Sequence, residues 1–407
     1  MKKRPLLRPH PLIVPLMRTI FLRFLKRRYH LEAEDVDRVR NLKPPFIVVA
    51  NHVNFWDPFW INAFISAPIQ FVASDNLFRT VFYGLAMRLL GSIPKTKLMN
   101  DTQTIGHIFR VIGAGGAVGI FPEGSRSYDG RSESPQFAVA RLICKLKVPV
   151  VSVLIRGGYL ARPRWARTAR LGRVSLRYRL LLAGPDLMGR SAEEVFRLLS
   201  RELTFDEMAV QRDRRVSFPA RRPAEYLERL LFICPQCSSV ATLVSRVRRF
   251  SCTRCGYAVR VDDTGFLIHE RGPLHFDDPA DWNAWQLGVL GGLLNSGDGQ
   301  ECRLQESDAI LLHGYRFRRL RKLMRGRLML FPDRLEAQGR RGEIMTFWIA
   351  SIQGANVQNR EKLEFYYDGV LYRVDFPNPR SSSYMWLKAV EYLQSHESAG
   401  QRKVMSL

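Results

Sequence analysis

The chain has 407 residues, of which 46% are hydrophobic and 25% are charged, and its formal net charge is +25. This composition excludes disordered and collagen-like chains, and the length allows one sizeable α/β domain with one or two small modules. The excess of Lys and Arg predicts an anionic partner, but charge alone does not choose among phospholipid headgroups, an acidic carrier protein and nucleic acid.

The positive charge is concentrated in two blocks that contain no Asp or Glu. Residues 1–30 carry nine Lys and Arg residues. Residues 134–185 carry a ladder of arginines: Arg156, Arg162, Arg164, Arg167, Arg170, Arg173, Arg177 and Arg179. Both blocks predict contact with an anionic partner.

Residues 1–30 are interpreted as a basic amphipathic segment at a membrane surface. Their apolar part, residues 11–25, is interrupted by Arg18 and Arg23, and it is shorter than the roughly 20 apolar residues that a transmembrane helix needs. We expect a helix in the membrane interface, with four apolar side chains toward the acyl chains: Ile20, Phe21, Phe24 and Leu25. The alternative is a helix packed on its own domain. The first interpretation predicts a peripheral membrane protein on the cytoplasmic face.

Strands and helices alternate over the next 200 or so residues. Apolar runs predict strands, and amphipathic stretches between them predict helices. The predicted strands are 44–51, 69–74, 117–124 and 148–158, and the predicted helices are 57–68, 81–91, 104–116 and 137–147. This alternation predicts an α/β domain over residues 31–211, with a largely parallel sheet and flanking helices.

A histidine and an aspartate follow the first predicted strand, in the stretch NHVNFWD. His52 has an ordinary pKa close to neutrality and can accept a proton, and Asp57, five positions later, can fix its tautomer. By itself such a histidine is usually structural, and Asp57 followed by Pro58 also fits the start of a helix.

A second polar segment, FPEGSRS at residues 121–127, follows the third predicted strand. Its glycine lets backbone N–H groups approach a ligand, and its arginine offers a planar, permanently charged fork for phosphate. Between the two segments, GSIPKTK at residues 91–97 is predicted as a loop, with Lys95 and Lys97 as candidate phosphate-binding cations.

These segments together resemble the four sequence blocks of the glycerolipid acyltransferase family, which includes the 1-acylglycerol-3-phosphate acyltransferases. The first block, NHxxxxD, matches Asn51, His52 and Asp57. The second matches Gly91 and Lys97, where the family usually has arginine, and the third and fourth match residues 121–127 and 148–151. The resemblance covers residues 45–184.

The resemblance implies a membrane-associated O-acyltransferase. Such an enzyme transfers a fatty acyl chain from acyl-CoA or acyl carrier protein to the hydroxyl of a lysophospholipid such as 1-acylglycerol-3-phosphate, in phospholipid biosynthesis or remodelling. The implied catalytic residues are His52 and Asp57. The implied substrate-binding residues are Asn51, Lys95, Lys97, Glu123, Gly124, Ser125 and Arg126.

The polar, proline-punctuated residues 212–230 are predicted as a linker, and a four-cysteine motif follows them. Two CxxC pairs supply the four thiols: Cys234, Cys237, Cys252 and Cys255. Their spacing predicts a zinc ribbon over residues 231–262 with a structural zinc ion. The alternatives are disulfides and a rubredoxin-like iron site.

The rest of the chain is interpreted as a connecting helical segment, 263–307, and a β-rich module with a C-terminal helix, 308–396. The module resembles the pleckstrin-homology-like superfold in its succession of hairpins capped by one helix. Two other functions compete with acyl transfer: a nucleic-acid-binding zinc-ribbon protein and a catalytically silent lipid-binding scaffold. Because no base-reading motif accompanies the ribbon, we do not expect nucleic acid as the partner.

Overall fold

The computed structural model describes residues 8–95, 102–296, 301–315, 319–358 and 362–404. The chain forms two compact units. The N-terminal unit comprises the residues up to Arg164, Thr168–Arg221 and Asp263–Gly265. The C-terminal unit comprises Trp165–Arg167, Arg222–Asp262 and the residues from Phe266 onward.

The N-terminal unit alternates helices and strands in chain order. Its elements are α1 (Ile13–Arg28), β1 (Leu31–Glu34), α2 (Asp37–Arg40), β2 (Phe46–Ala50), α3 (Asp57–Asn62), β3 (Ile69–Ser74), α4 (Val81–Leu89), β4 (Ile93–Lys95), α5 (Thr102–Gly113), β5 (Ala117–Ile120), α6 (Phe137–Leu146), β6 (Val150–Arg156), α7 (Gly158–Ala161), β7 (Val174–Leu182), α8 (Ala192–Leu203) and α9 (Glu207–Arg214).

One seven-stranded sheet organises this unit, in the order β1-β7-β6-β2-β5-β3-β4. The β6–β7 pair is antiparallel, and the other neighbouring pairs are parallel. The predicted α/β class with a largely parallel sheet is therefore confirmed. Strand β2 is buried at every position, which explains its continuous apolar sequence, because a central strand of such a sheet is covered on both faces.

Helices α5, α6 and α8 cover one face of the sheet. Their apolar side chains join those of β2, β5 and β6 in a single core cluster that includes Ile47, Ile108, Val118, Ile143 and Leu199. Helix α1 packs against α3, where the Phe21 ring contacts the rings of Trp56 and Phe59. These layers leave the carboxyl ends of the central strands for the loops that carry the polar segments.

The structure corrects the sequence prediction at three places in this unit. Residues 93–95, predicted as part of a loop, form the short edge strand β4, because Ser74 of β3 pairs with Lys95. The helix predicted over residues 57–68 ends at Asn62, where the guanidinium of Arg18 binds the carbonyls of Asn62 and Ser66. The arginine-rich stretch 174–182, given no element from sequence, forms the long strand β7.

The arginine ladder does not form one open cationic face. Glu34 of β1 pairs with Arg156, with Oε2 and Nη1 3.0 Å apart, and Glu202 of α8 pairs with Arg179 at 3.1 Å. Glu32 likewise pairs with Arg173, at 3.3 Å between the charged groups. The block contains no acid along the sequence, but the fold brings glutamates of β1 and α8 next to its arginines. Its positive charge is therefore weaker evidence for an anionic partner than the sequence suggests.

Only part of the predicted lipid-facing set on α1 is exposed. Leu25 is buried, and Phe21 packs on α3. The most exposed apolar side chains occupy every fourth position, starting from the residue before the helix: Leu12, Leu16, Ile20 and Phe24. Among the described residues, no helix is both long enough and apolar enough to cross a bilayer.

The C-terminal unit is mostly antiparallel. Its elements are β8 (Leu243–Arg246), β9 (Arg249–Cys252), β10 (Ala258–Val261), β11 (Leu267–Arg271), α10 (Pro279–Asn295), β12 (Leu304–Gly314), β13 (Arg321–Leu330), β14 (Arg334–Gly339), β15 (Ile344–Trp348), β16 (Gln353–Gln358), β17 (Lys362–Tyr367), β18 (Val370–Asp375) and α11 (Ser383–Val404). The sheet orders are β11-β10-β9-β8 and β15-β14-β13-β12-β18-β17-β16.

The predicted linker, 212–230, and the predicted connecting segment, 263–307, both contain buried residues. The unit boundary, at Arg221 and Arg222, falls inside the predicted linker 212–230. Helix α10, predicted as a connecting segment, is a core element, because Gln286 is fully buried and its Oε1 accepts hydrogen bonds from the backbone N–H groups of Phe232 and Ile233. The ribbon, α10 and the β-rich module lie within the same compact unit.

Candidate active site

The candidate catalytic and substrate-binding segments follow the carboxyl ends of neighbouring parallel strands. The NHVNFWD segment begins after β2 and FPEGSRS begins after β5, and these strands pair with Val49 opposite Ile120. Lys95 ends β4 on the same side of the sheet, beyond β3. Parallel strands place their carboxyl ends at one edge, which is where open α/β sheets bind ligands.

The His52 imidazole and the Asp57 carboxylate form a hydrogen bond. Nδ1 of His52 lies 2.8 Å from Oδ2 of Asp57. The same oxygen accepts hydrogen bonds from the backbone N–H groups of Val53 and Asn54, each at 2.8 Å. Asp57 therefore folds the loop around its own carboxylate at the start of α3 and also orients the histidine. The sequence allowed Asp57 to be either the first residue of a helix or the partner of His52, and in the structure it is both.

Burial acts on the ionisation of Asp57. Asp57 is fully buried, which raises its pKa to about 8, while the hydrogen bonds from Asn54 and Val53 and the positive charge of Arg126 act in the opposite direction. The side chain of His52 is 20% exposed. An opposite charge nearby favours the ionised form of a buried carboxyl, so a carboxylate at Asp57 and an imidazolium at His52 would stabilise each other.

Glu123 joins the two segments through the backbone of His52. Its Oε1 accepts the N–H of His52 at 3.0 Å, and its Oε2 accepts the N–H of Glu133 at 3.2 Å. In return the N–H of Ser127 donates to the carbonyl of His52 at 2.8 Å. Burial raises the pKa of Glu123 to about 8. Through these contacts Glu123 holds the two loops together, and its substrate-binding role stays a prediction.

The histidine ring also has an aromatic neighbour. The rings of His52 and Phe121 are stacked, with centroids 4.0 Å apart and planes 15° apart. Phe121 in turn stacks on Phe71 of β3 at 5.5 Å. The sequence placed Phe121 inside the third block but gave it no role, because the contact joins two residues that are distant along the chain.

Asn51 is turned away from the open side of the site. Its side chain is fully buried, and its amide bridges to β6: Nδ2 donates to the Ile155 carbonyl at 2.9 Å and Oδ1 accepts the Ile155 N–H at 2.8 Å. Asn54 makes a similar link to the carbonyl of Gly158 at 2.8 Å. In this geometry Asn51 anchors the first loop to the neighbouring strand, and its substrate-binding role stays a prediction.

The middle of the FPEGSRS segment is partly exposed at Gly124, Ser125 and Arg126. Gly124 has a φ of +76°, a left-handed conformation in which glycine is favoured. Arg126 lies close enough to Asp57 to lower the pKa of that carboxyl. The structure therefore brings Arg126 together with the His52–Asp57 pair. Lys97, predicted as a phosphate-binding cation, lies outside the described residues.

Arg164 is a site residue that the sequence did not single out beyond the arginine ladder. Its side chain is buried, and Nη1 donates to Ser125 Oγ at 3.1 Å and to the Arg126 carbonyl at 2.8 Å. The sequence offers no signal that separates Arg164 from its neighbours Arg162 and Arg167, since all three belong to the same ladder.

The four predicted metal ligands come together in the C-terminal unit. The sulfur atoms of Cys234, Cys237, Cys252 and Cys255 all lie within 4.8 Å of one another. The Cys234–Cys255 and Cys237–Cys252 sulfur pairs are 3.7 Å and 3.8 Å apart. A tetrahedral ion with metal–sulfur bonds of about 2.3 Å places its sulfurs roughly 3.8 Å apart. The four thiols are free of disulfides and can bind a metal ion.

Residues 15–156 match the family model described as Acyltransferase. This match begins within α1 and includes the strands β2, β4 and β5, which carry the candidate site. The match agrees with the resemblance of the four sequence blocks to the glycerolipid acyltransferase family.

Two curated plant proteins resemble the same part of the chain. The 1-acyl-sn-glycerol-3-phosphate acyltransferase LPAT1, chloroplastic, of Arabidopsis thaliana is 25% identical over 131 residues, which is 32% of this chain and 36% of that protein. The chloroplastic acyltransferase BAT2 of Brassica napus is 24% identical over 131 residues, 32% of this chain and 38% of that protein. The chain thus spans little more than a third of the length of these relatives.

A solved structure, the 1-acyl-sn-glycerophosphate acyltransferase PlsC from Thermotoga maritima, is 24% identical to this chain. The superposition has a TM-score of 0.40 and covers 49% of this chain and 83% of that one.

Proposed function

We propose that the N-terminal unit transfers a fatty acyl chain from an acyl-CoA or acyl-carrier-protein thioester to the hydroxyl of a lysophospholipid. The proposed acceptor is 1-acylglycerol-3-phosphate, and the reaction would serve phospholipid biosynthesis or remodelling. The observation that carries the proposal is the 2.8 Å hydrogen bond between His52 Nδ1 and Asp57 Oδ2, in a domain that matches the Acyltransferase model.

The proposed chemistry is direct transfer between the two substrates. With Nδ1–H donated to Asp57, Nε2 of His52 is the nitrogen that takes the proton of the acceptor hydroxyl. The hydroxyl oxygen then attacks the thioester carbonyl, the new C–O bond forms, and the C–S bond breaks. The departing thiolate receives the proton from the imidazolium. The substrate hydroxyl thus occupies the place that serine takes in a Ser-His-Asp triad.

The proposed acceptor site lies over the FPEGSRS segment. Arg126 offers a bidentate fork for a phosphate, and Lys95 and Lys97 would add positive charge from the end of β4 and the residues that follow. Glu123, Gly124 and Ser125 shape the segment, and Asn51 anchors the loop that carries His52. Arg126 lies close enough to Asp57 to lower its pKa, and Asp57 is hydrogen bonded to His52, so a phosphate on Arg126 would hold the acceptor near the base.

An anionic membrane surface is the proposed location of the reaction, on the cytoplasmic face. The support comes from α1, whose apolar side chains Ile20 and Phe24 are 65% and 59% exposed and whose Arg23 and Arg27 are also exposed. A helix of this kind lies in the interface plane. The start of α4 adds exposed Val81, Phe82 and Leu85, and the N–H of His10, just before α1, donates to the Leu89 carbonyl of α4.

For the C-terminal unit we propose a structural zinc ion on the four cysteines. The seven-stranded sheet with its terminal helix is proposed to be a pleckstrin-homology-like module that docks lipid or protein. The support for zinc is the near-tetrahedral spacing of the four sulfurs. The support for the module is the run of neighbouring antiparallel strands followed by α11.

The deciding experiment measures acyl transfer by the purified chain in mixed micelles that contain anionic lipid. Radiolabelled acyl-CoA and acyl carrier protein would be offered with lysophospholipids of different headgroups, to wild type, His52→Ala and His30→Ala. His30 is exposed at the end of α1 and is the matched control. General-base catalysis contributes about 10²- to 10⁴-fold, so we expect a loss of that size in His52→Ala and none in His30→Ala.

Two results would contradict the proposal. If His52→Ala still transfers acyl chains, His52 is not the general base. If wild type transfers an acyl chain to no acceptor, the protein is better explained as a lipid-binding scaffold. Retained thermal unfolding behaviour in His52→Ala is the control that separates lost chemistry from lost folding.

A further inference from the structure

Arg164 lies outside the four sequence blocks, but its side chain reaches the third one. It follows α7 by three residues, and its side chain is only 4% exposed. Burying a guanidinium is costly unless its N–H groups are hydrogen bonded and its plane is packed. The contacts of this side chain therefore identify the part of the structure that the buried guanidinium stabilises.

Three contacts of Arg164 fall within one loop, on Ser125, Arg126 and Tyr128. Nη1 donates to Ser125 Oγ at 3.1 Å and to the Arg126 carbonyl oxygen at 2.8 Å. The guanidinium carbon lies 3.8 Å from the centre of the Tyr128 ring, which is itself buried. A planar fork can donate in its own plane and stack on a ring at the same time, and a lysine ammonium cannot.

The ends of this loop have their own anchors. Glu123 accepts the N–H of His52 at one end, and the N–H of Ser127 donates to the His52 carbonyl at the other. Between them the chain takes a left-handed conformation at Gly124, and Arg164 contacts the two residues that follow. A displacement of this segment would carry the guanidinium of Arg126 away from Asp57.

We propose that Arg164 is a positioning residue that fixes Ser125 and Arg126 and thereby sets the phosphate-binding geometry for the acyl acceptor. It acts through the loop and does not itself contact substrate. This inference rests on the proposed function, because the acceptor phosphate is part of that proposal.

The kinetic test compares Arg164→Lys and Arg164→Met with wild type, using 1-acylglycerol-3-phosphate and acyl-CoA in the same micelles. Losing the contacts to the loop should raise the KM for the acceptor about tenfold, with the KM for acyl-CoA unchanged. Arg173→Lys is the matched control, since Arg173 is an exposed arginine that pairs with Glu32, and it should behave as wild type. A purely structural defect would lower the amount of active enzyme without separating the two KM values.

A second measurement does not depend on turnover. Hydrogen exchange of the full chain should show faster exchange at residues 123–127 in Arg164→Met, with strand β2 unchanged. Ser125→Ala provides a further variant, and its effect should not add to that of Arg164→Met if both act through one contact.

Each outcome decides the inference. Faster loop exchange with a raised acceptor KM supports it. Unchanged hydrogen exchange at residues 123–127 would show that Arg164 does not position the loop. Faster exchange with unchanged KM values would show that the loop position does not affect acceptor binding. If wild type transfers no acyl chain, the proposed function fails separately. Affinity for inorganic phosphate then replaces KM, and equal phosphate binding by wild type and Arg164→Met would overturn the inference.

Discussion

The imidazole of His52 stacks on the ring of Phe121, with centroids 4.0 Å apart and planes 15° apart. The stack fixes the plane of the imidazole, and the hydrogen bond from Nδ1 to Asp57 fixes its rotation within that plane. Together the two contacts determine the direction in which Nε2 points. Orientation of a base toward its proton is a large part of general-base catalysis, so Phe121 is expected to affect turnover without touching the reacting atoms.

Replacing Phe121 with leucine should lower kcat and leave the KM of both substrates nearly unchanged. Aromatic pairs of this kind are worth about 0.5–1.5 kcal/mol beyond their buried area, which corresponds to a loss of roughly two- to tenfold. Phe121→Tyr keeps the ring and should retain activity. Steady-state kinetics would check this, with Phe109→Leu, at an exposed position of α5, as control. Equal kcat in Phe121→Leu and wild type would mean that the stack has no catalytic role.

The stability of the N-terminal unit should depend on the ionisation of Glu207. This carboxyl is fully buried, and both of its oxygens accept the N–H of Gly157, at 2.8 Å and 2.9 Å. Burial raises its pKa from 4.5 to about 7. The folded state therefore holds a proton that the unfolded state releases at lower pH. The resulting stabilisation is complete below pH 4.5 and is lost as the pH rises through 7.

The predicted size of this effect is on the order of 3 kcal/mol between pH 4.5 and pH 7. Denaturant unfolding at a series of pH values would measure it. Glu207→Gln should flatten the decline by about that amount, while Glu193→Gln, at an exposed position of α8, should keep the wild-type slope. Identical slopes for wild type and Glu207→Gln would show that Glu207 ionises normally in the folded protein.

Metal analysis of the purified chain should find one zinc ion per chain. Cys252→Ser should lose the ion, because a structural zinc site needs all four ligands, and should unfold the C-terminal unit at a lower temperature. Cys302→Ser is the control, since Cys302 is an exposed cysteine outside the cluster. Iron in place of zinc, with its visible absorption, would support the rubredoxin-like alternative, and a metal-free wild type with native stability would contradict the site.

Binding to anionic vesicles should depend on the exposed face of α1. Phe24→Asp removes an apolar side chain worth about 1.5–3 kcal/mol when buried, and it adds an acid near a negative surface. We therefore expect vesicle cosedimentation about 10- to 100-fold weaker, with salt weakening the wild type as well. Ile344→Asp, at an exposed position of β15, is the matched control. Equal loss in both variants would show that α1 has no specific role in membrane binding.

The sequence determined those features that depend on short spacing. His52 and Asp57 are close because one loop and the start of α3 join them, and each CxxC pair meets because two residues separate its cysteines. Apolar runs likewise identified the parallel strands, since a buried strand needs apolar side chains on both faces. These are local constraints, and a linear reading of the chain captures them.

The tertiary structure decided which distant residues share a site. The strand order places β5 next to β2. Phe121 can therefore stack on His52, and Glu123 can bind the His52 backbone although 71 positions of sequence separate them. It also buries Arg164 against the third block while its ladder neighbours Arg156 and Arg173 find acids on β1. Sequence shows the charge of an arginine, but its burial and partners are set by the packing of elements that lie far apart along the chain.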